Sequence, residues 1–160
     1  MPSITVTAQT TIRRSPEEIF AFIAEPKNDP QWCRTVEEIH QIVGDGPGLG
    51  AKYAMSHAPG GMKFEAVVEI VAYVPYERME WRMTDKGHVL DGVYSLEEVE
   101  EGTRLTQKSH FRFVGLLRIP SFFLKGVIQK DIQKEMDGQF EKLKRILELE
   151  PANEVQGMLR

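Results

Sequence analysis

Apolar side chains alternate with threonines near the start of the chain, where Ile4, Val6, Ala8 and Ile12 share one phase, and this period of two predicts a half-buried strand. Ser15-Pro16-Glu17-Glu18 follows, a cap residue, a proline and two acids in the order that starts a helix, and Ile19, Phe20, Phe22 and Ile23 form its apolar face. Pro26, Asn28, Asp29 and Pro30 stop that helix, and Trp32 falls in a second short helix or turn. Residues 36–43 and the alternating Ala51, Tyr53, Met55 and His57 predict two strands around the turn cluster Gly44-Asp45-Gly46-Pro47-Gly48-Leu49-Gly50. After Pro59-Gly60-Gly61, residues 62–74 predict a long strand with Met62, Phe64, Ala66, Val68, Ile70, Ala72 and Val74 on one face. Three more strands carry Met79, Trp81 and Met83, then Leu90, Gly92, Tyr94 and Leu96, then Leu105, Gln107, Ser109, Phe111 and Phe113. Turns at Asp85-Lys86-Gly87 and Glu100-Glu101-Gly102 separate them, so the order predicts successive antiparallel pairing.

Beyond Pro120 the period changes. Leu124, Ile128, Ile132, Met136, Phe140, Leu143 and Leu147 have the spacing of one buried helical stripe, with Gly126 a candidate bend and Pro151 the stop. A helix over residues 121–149 is about 43 Å long, against a diameter of about 39 Å for a globule of this size, so it crosses the whole molecule. The expected class is α+β: a seven-stranded curved antiparallel sheet, two short helices after the first strand, and a long C-terminal helix. One helix laid across a curled sheet does not fill the volume enclosed, and a hydrophobic cavity between them is expected.

Side chains in the inward phase are therefore the candidate ligand-binding residues: Tyr53, His57, Phe64, Trp81, Tyr94, Gln107, Ser109 and Phe111 on the strands, Ile132, Met136 and Gln139 on the helix. Gln107 and Ser109 in tandem are polar groups on an apolar face, which is costly without a partner, water or ligand. For His57 two readings stand, a solvated strand end and a ligand or acid-base contact. No inward carboxylate is expected, since Glu65 and Glu69 fall on the outer phase and Asp91 lies opposite Leu90 and Tyr94. His40, His57, His88 and His110 show no ligand pair at helical or hairpin spacing, so no metal or cofactor is expected unless strand register brings two together.

Composition narrows the class. The chain has 160 residues, 41% of them hydrophobic, enough for one sizeable core, and residues 1–150 are expected to form one domain with 151–160 as a mobile tail. A net charge of −4 argues against a nucleic-acid partner. The single Cys33 excludes an intrachain disulfide and fits a cytoplasmic setting, and no apolar run approaches the length of a membrane span. A monomer or homodimer is expected. The glycine cluster is followed by a strand and not by a helix with a lysine and hydroxyl in place, which argues against a phosphate loop.

Taken in order, residues Ile12-Arg13-Arg14-Ser15-Pro16-Glu17-Glu18-Ile19-Phe20, Gly46-Pro47-Gly48-Leu49-Gly50-Ala51-Lys52-Tyr53, Val74-Pro75-Tyr76-Glu77-Arg78-Met79-Glu80-Trp81, Gly102-Thr103-Arg104-Leu105-Thr106 and Phe140-Glu141-Lys142-Leu143-Lys144 carry a resemblance. Over residues 4–149 the chain resembles the START-related superfamily of polyketide cyclases, dehydrases and lipid-transfer proteins. The resemblance implies the helix-grip fold and a hydrophobic cavity, and carries over no catalytic residue. Three functions follow as expectations: binding of a lipid, polyketide or aromatic metabolite; cyclisation or dehydration of a polyketide-like substrate, with His57 as base and Tyr94, Gln107 or Ser109 as donors; or protein interaction through the apolar run at 115–123, read otherwise as a cavity lid.

Overall fold

The computed structural model describes residues 3–149. The expected tail and the Pro151 stop lie outside the described residues. Seven strands form one antiparallel sheet: β1 (Ser3–Ile12), β2 (Val36–Val43), β3 (Lys52–His57), β4 (Phe64–Val74), β5 (Arg78–Thr84), β6 (His88–Val99) and β7 (Gly102–Phe113). Their spatial order is β1-β7-β6-β5-β4-β3-β2, a meander from β2 to β7 with β1 added beside the last strand. Helix α1 (Pro16–Ile23) starts in a capping box, in which the Ser15 hydroxyl accepts from the Glu18 N–H and the Glu18 carboxylate accepts from the Ser15 N–H. A 3₁₀ turn at Pro26–Asn28 and the short α2 (Asp29–Trp32) follow, and α3 (Arg118–Leu149) is the last described element, a single helix of 32 residues with no break at Gly126.

Helix α3 runs parallel to β1 and covers its free edge. Gln133 Nε2 donates to the Thr7 carbonyl at 2.8 Å and Lys144 Nζ to the Thr11 carbonyl at 2.7 Å, while Arg14 Nε donates back to the Leu147 carbonyl at 2.8 Å. Carbonyls that would otherwise template another strand are thus satisfied by side chains from one helix.

Packing is uneven along the molecule. At the α1 end, Ile12, Ile19, Phe22, Tyr53, Ile70, Leu105, Leu143 and Leu147 are all fully buried. A layer of aromatic rings bounds this packed half: Trp32 lies 6.4 Å from Tyr94 and 6.2 Å from Phe140, and Trp81 lies 6.2 Å from Tyr94. Toward the other end, Ile128 and Ile132 of α3 and Leu90 and Phe111 of the sheet are only half-buried.

The sequence periodicity fails at three places. Leu124 is 51% exposed, so the stripe it continues is left uncovered on that turn of α3. Met62 is 60% exposed and precedes β4, since the chain is still leaving a 3₁₀ turn at Pro59–Gly61. Beyond Ile70 the β4 register shifts, so Ala72 faces Glu80, Tyr73 faces the buried Met79, and Val74 faces Arg78. That bulge turns Ala72 and Val74 off the inward face and puts Tyr73 on it, where its ring meets Phe20 edge-on at 5.3 Å.

Candidate functional site

The sheet register brings the predicted strand residues together. Tyr94 of β6 is opposite Met79 on one side and Gln107 on the other, and Trp81 and Ser109 flank Gly92 in the same way. Gln107 Nε2 donates to Ser109 Oγ at 3.0 Å, so these two buried polar groups satisfy part of each other's demand. The Trp81 ring lies over Gly92, so close that a Cβ there would collide with it. Tyr53 and Tyr94 are buried, and burial pushes the Tyr53 hydroxyl up to about 12 and that of Tyr94 well above its ordinary value. Both are neutral groups at any ordinary pH. Tyr53 Oη and Trp32 Nε1 are buried without a protein partner among the described residues.

On α3, Met136 is buried and Ile132 half-buried, both toward the sheet. Gln139 is half-buried, and its amide donates to Glu135 one turn back at 3.4 Å. Glu135 also takes Arg34 at 2.6 Å, an exposed clasp between the link before β2 and the middle of α3.

His57 is buried, not solvated, at 6% exposure. Its Nε2 is 2.7 Å from Asp85 Oδ2, a carboxylate with no exposed surface that sits in the turn between β5 and β6. His88, the first residue of β6, brings Nδ1 to 2.9 Å from the same oxygen. Asp85 Oδ1 accepts from the backbone N–H groups of Gly87 and His88, each at 2.7 Å. Burial pushes the Asp85 carboxyl up, but the Gly87 N–H and the two imidazoles outweigh it and hold the group below its ordinary value. Burial likewise lowers His57, only partly offset by Asp85, so its ring is neutral at pH 7. Phe64 and Phe113 pack on His88 at 4.8 and 5.5 Å, and the end of the Leu117 side chain lies on Gly87, where a Cβ would displace it.

Asp85 is the inward carboxylate that the alternation did not reveal. It stands in the triplet Asp85-Lys86-Gly87, whose composition signals a turn, and turn residues carry no phase. Register supplies what linear spacing lacked: β3 and β6 are separated by β4 and β5, yet the ends of β3 and β6 meet at one corner of the concave face. Asp91 faces outward as expected. It bridges Arg82 at 2.6 Å and Arg112 at 3.0 Å, and these cations outweigh its partial burial and hold its carboxyl below the ordinary range.

Residues 114–117 cross over this corner, held by the Val114 N–H donating to the Gly87 carbonyl at 2.8 Å. Next to them Gly115, Arg118, Ile119, Phe122 and Phe123 line an open groove, and Leu116, Ile119, Phe122 and Phe123 are 68–90% exposed. The cluster of His57, Asp85 and His88 thus lies beneath the loosely packed, apolar end of the molecule.

A curved seven-stranded antiparallel sheet gripping a long C-terminal helix defines the class of protein. Residues 3–148 match the family described as polyketide cyclase / dehydrase and lipid transport, and the chain belongs to it. Among solved structures, one from Thermus thermophilus is similar at a TM-score of 0.73 and 16% identity, over 89% of this chain and 96% of that one. A START superfamily protein from Mycobacterium smegmatis is similar at 0.65 and 14%, over 87% and 98%. Ara h 8.0201 is similar at 0.64 and 14%, over 91% and 97%. These likenesses show the fold. Among curated proteins, none matches the chain. No described helix is long and apolar enough to cross a membrane.

Proposed function

We propose that the chain binds a hydrophobic small molecule, a lipid, polyketide or aromatic metabolite, between the concave face of the sheet and the N-terminal half of α3. The carrying observation is the uneven packing. Inward-facing Trp81, Leu90 and Phe111 sit on central strands, where a filled core would hide them completely, yet each keeps solvent-accessible surface. Large apolar side chains left partly open in a concavity favour an apolar ligand, since burying one contributes about 1.5–3 kcal/mol. Gln107 and Ser109, buried polar groups on the inward face, supply a few neutral polar contacts. Leu116, Ile119, Phe122 and Phe123 form the apolar rim across which the ligand enters, and a cytoplasmic setting suits Cys33, whose thiol burial holds protonated.

Titration with a lipophilic fluorescent probe tests this reading. Saturable binding of one probe per chain is expected, with quenching of tryptophan emission and at least tenfold weaker binding in Phe111→Asp, which puts a charge into the apolar face. Probe binding that is absent, or equal in wild type and Phe111→Asp, overturns it.

One observation favours a second reading, cyclisation or dehydration of a polyketide-like substrate. A neutral His57 held by a buried Asp85 at 2.7 Å is the arrangement in which a carboxylate orients an imidazole for proton transfer.

A further inference from the structure

We propose that His57, Asp85 and His88 form a binding site for one divalent transition-metal ion, zinc or a near neighbour of it, with a free coordination position toward the concave face. His57, His88 and Asp85 each offer one ligand atom, a ring nitrogen or a carboxylate oxygen, and these lie within 4.8 Å of one another. They arrive from the end of β3, the β5–β6 turn and the start of β6, so the sheet itself holds the set together. The side chains of His57, His88 and Asp85 are 7%, 14% and 0% exposed, which separates this cluster from the solvated acidic groups common on protein surfaces. Two imidazole nitrogens with one carboxylate oxygen suit zinc, iron, cobalt or nickel, whereas magnesium and calcium take oxygen ligands.

Charge points the same way. The side-chain partners of Asp85 among the described residues are these two imidazoles alone, and no lysine or arginine among them bridges to it. A buried carboxylate is costly without a cation, and a divalent ion supplies one. The groups around the set are suitably placed: Asp85 Oδ1 is fixed by two backbone N–H groups at 2.7 Å, which aims Oδ2 at the imidazoles, and Phe64 and Phe113 pack beside His88.

The present separations, 2.7 Å from His57 and 2.9 Å from His88 to Asp85 Oδ2, are those of hydrogen bonds. A tetrahedron with zinc–ligand bonds of about 2.0 Å has edges of about 3.3 Å, so these two contacts lengthen by about half an ångström on binding. The ring N–H groups then lie at His57 Nδ1 and His88 Nε2, since Nε2 and Nδ1 respectively carry the metal. Three protein ligands leave a fourth position open, as in catalytic zinc sites. An oxygen of the bound molecule fills it: a carbonyl, carboxylate or phenolate on an apolar skeleton. That last step rests on the ligand-binding reading above; the metal site does not.

The test starts from the full chain stripped with a chelator and dialysed. Calorimetric titration with Zn²⁺ is expected to show one ion per chain at micromolar affinity or tighter, and Co²⁺ to develop visible absorption. His57→Gln and His88→Gln are expected to weaken uptake about 100-fold each, while His40→Gln and His110→Gln leave it unchanged. X-ray absorption of the wild-type zinc form, which needs no variant to fold, is expected to show two imidazoles and an oxygen ligand. Absence of saturable uptake by the wild type, uptake unchanged in both variants, or a spectrum without imidazole scattering overturns the site. Probe binding by the stripped chain, measured in parallel, separates the two readings: a chain that binds probe but no metal overturns only this site, and one that takes up metal but no probe overturns only the ligand reading.

Discussion

Asp85→Ala is expected to lower the unfolding free energy by about 3–5 kcal/mol, measured by urea denaturation in the presence of a chelator. The carboxylate has no exposed surface and serves four donors at once: two backbone N–H groups and two imidazole nitrogens. Removing it strands all four in the interior, and each buried donor left without a partner costs about 1–3 kcal/mol. Asp85→Asn is expected to cost less than half as much, because its carbonyl oxygen still takes the Gly87 and His88 N–H groups. The comparison isolates the carboxylate's role in holding the β5–β6 turn against β3. An alanine variant within about 1 kcal/mol of wild type would show that solvent reaches these donors and that the corner is not the closed polar cluster described.

Gly92→Ala is expected to weaken probe binding by at least tenfold and to destabilise the chain by about 1–3 kcal/mol. Glycine to alanine in a strand ordinarily stabilises by about 0.4–1 kcal/mol, because alanine has fewer conformations to lose. Here the opposite sign is expected. The new Cβ meets the Trp81 ring, which lies on Gly92, and the indole must swing off β6 into the space assigned to the ligand. Tryptophan emission and near-ultraviolet circular dichroism report that movement directly. A variant with unchanged emission and unchanged probe affinity would place the ligand elsewhere.

The strands and their inward faces were legible because alternation is local: a residue in phase with Leu105 and Phe113 points the same way as they do, and Gln107 and Ser109 did so. The bulge after Ile70 was not legible, since Ala72 and Val74 continue the apolar alternation while the ladder slips beneath them. Leu124 misled for a different reason. Periodicity identifies the face of a helix that matches its neighbours, and it carries no information on whether a partner is there to cover it. The polar cluster required both kinds of non-local information. His57 was in the correct phase, His88 looked isolated, and Asp85 was hidden in a turn; only the order of four strands sets the three side chains side by side.

Identification of what co-purifies with the chain is the most direct test of the central claim that the space between sheet and α3 holds an apolar ligand. Native mass spectrometry of freshly purified protein, followed by solvent extraction, is expected to show a single apolar species at up to one per chain, lost from Gly92→Ala. A chain of bare mass in every preparation, which also takes up no lipophilic compound when one is supplied, would contradict the account.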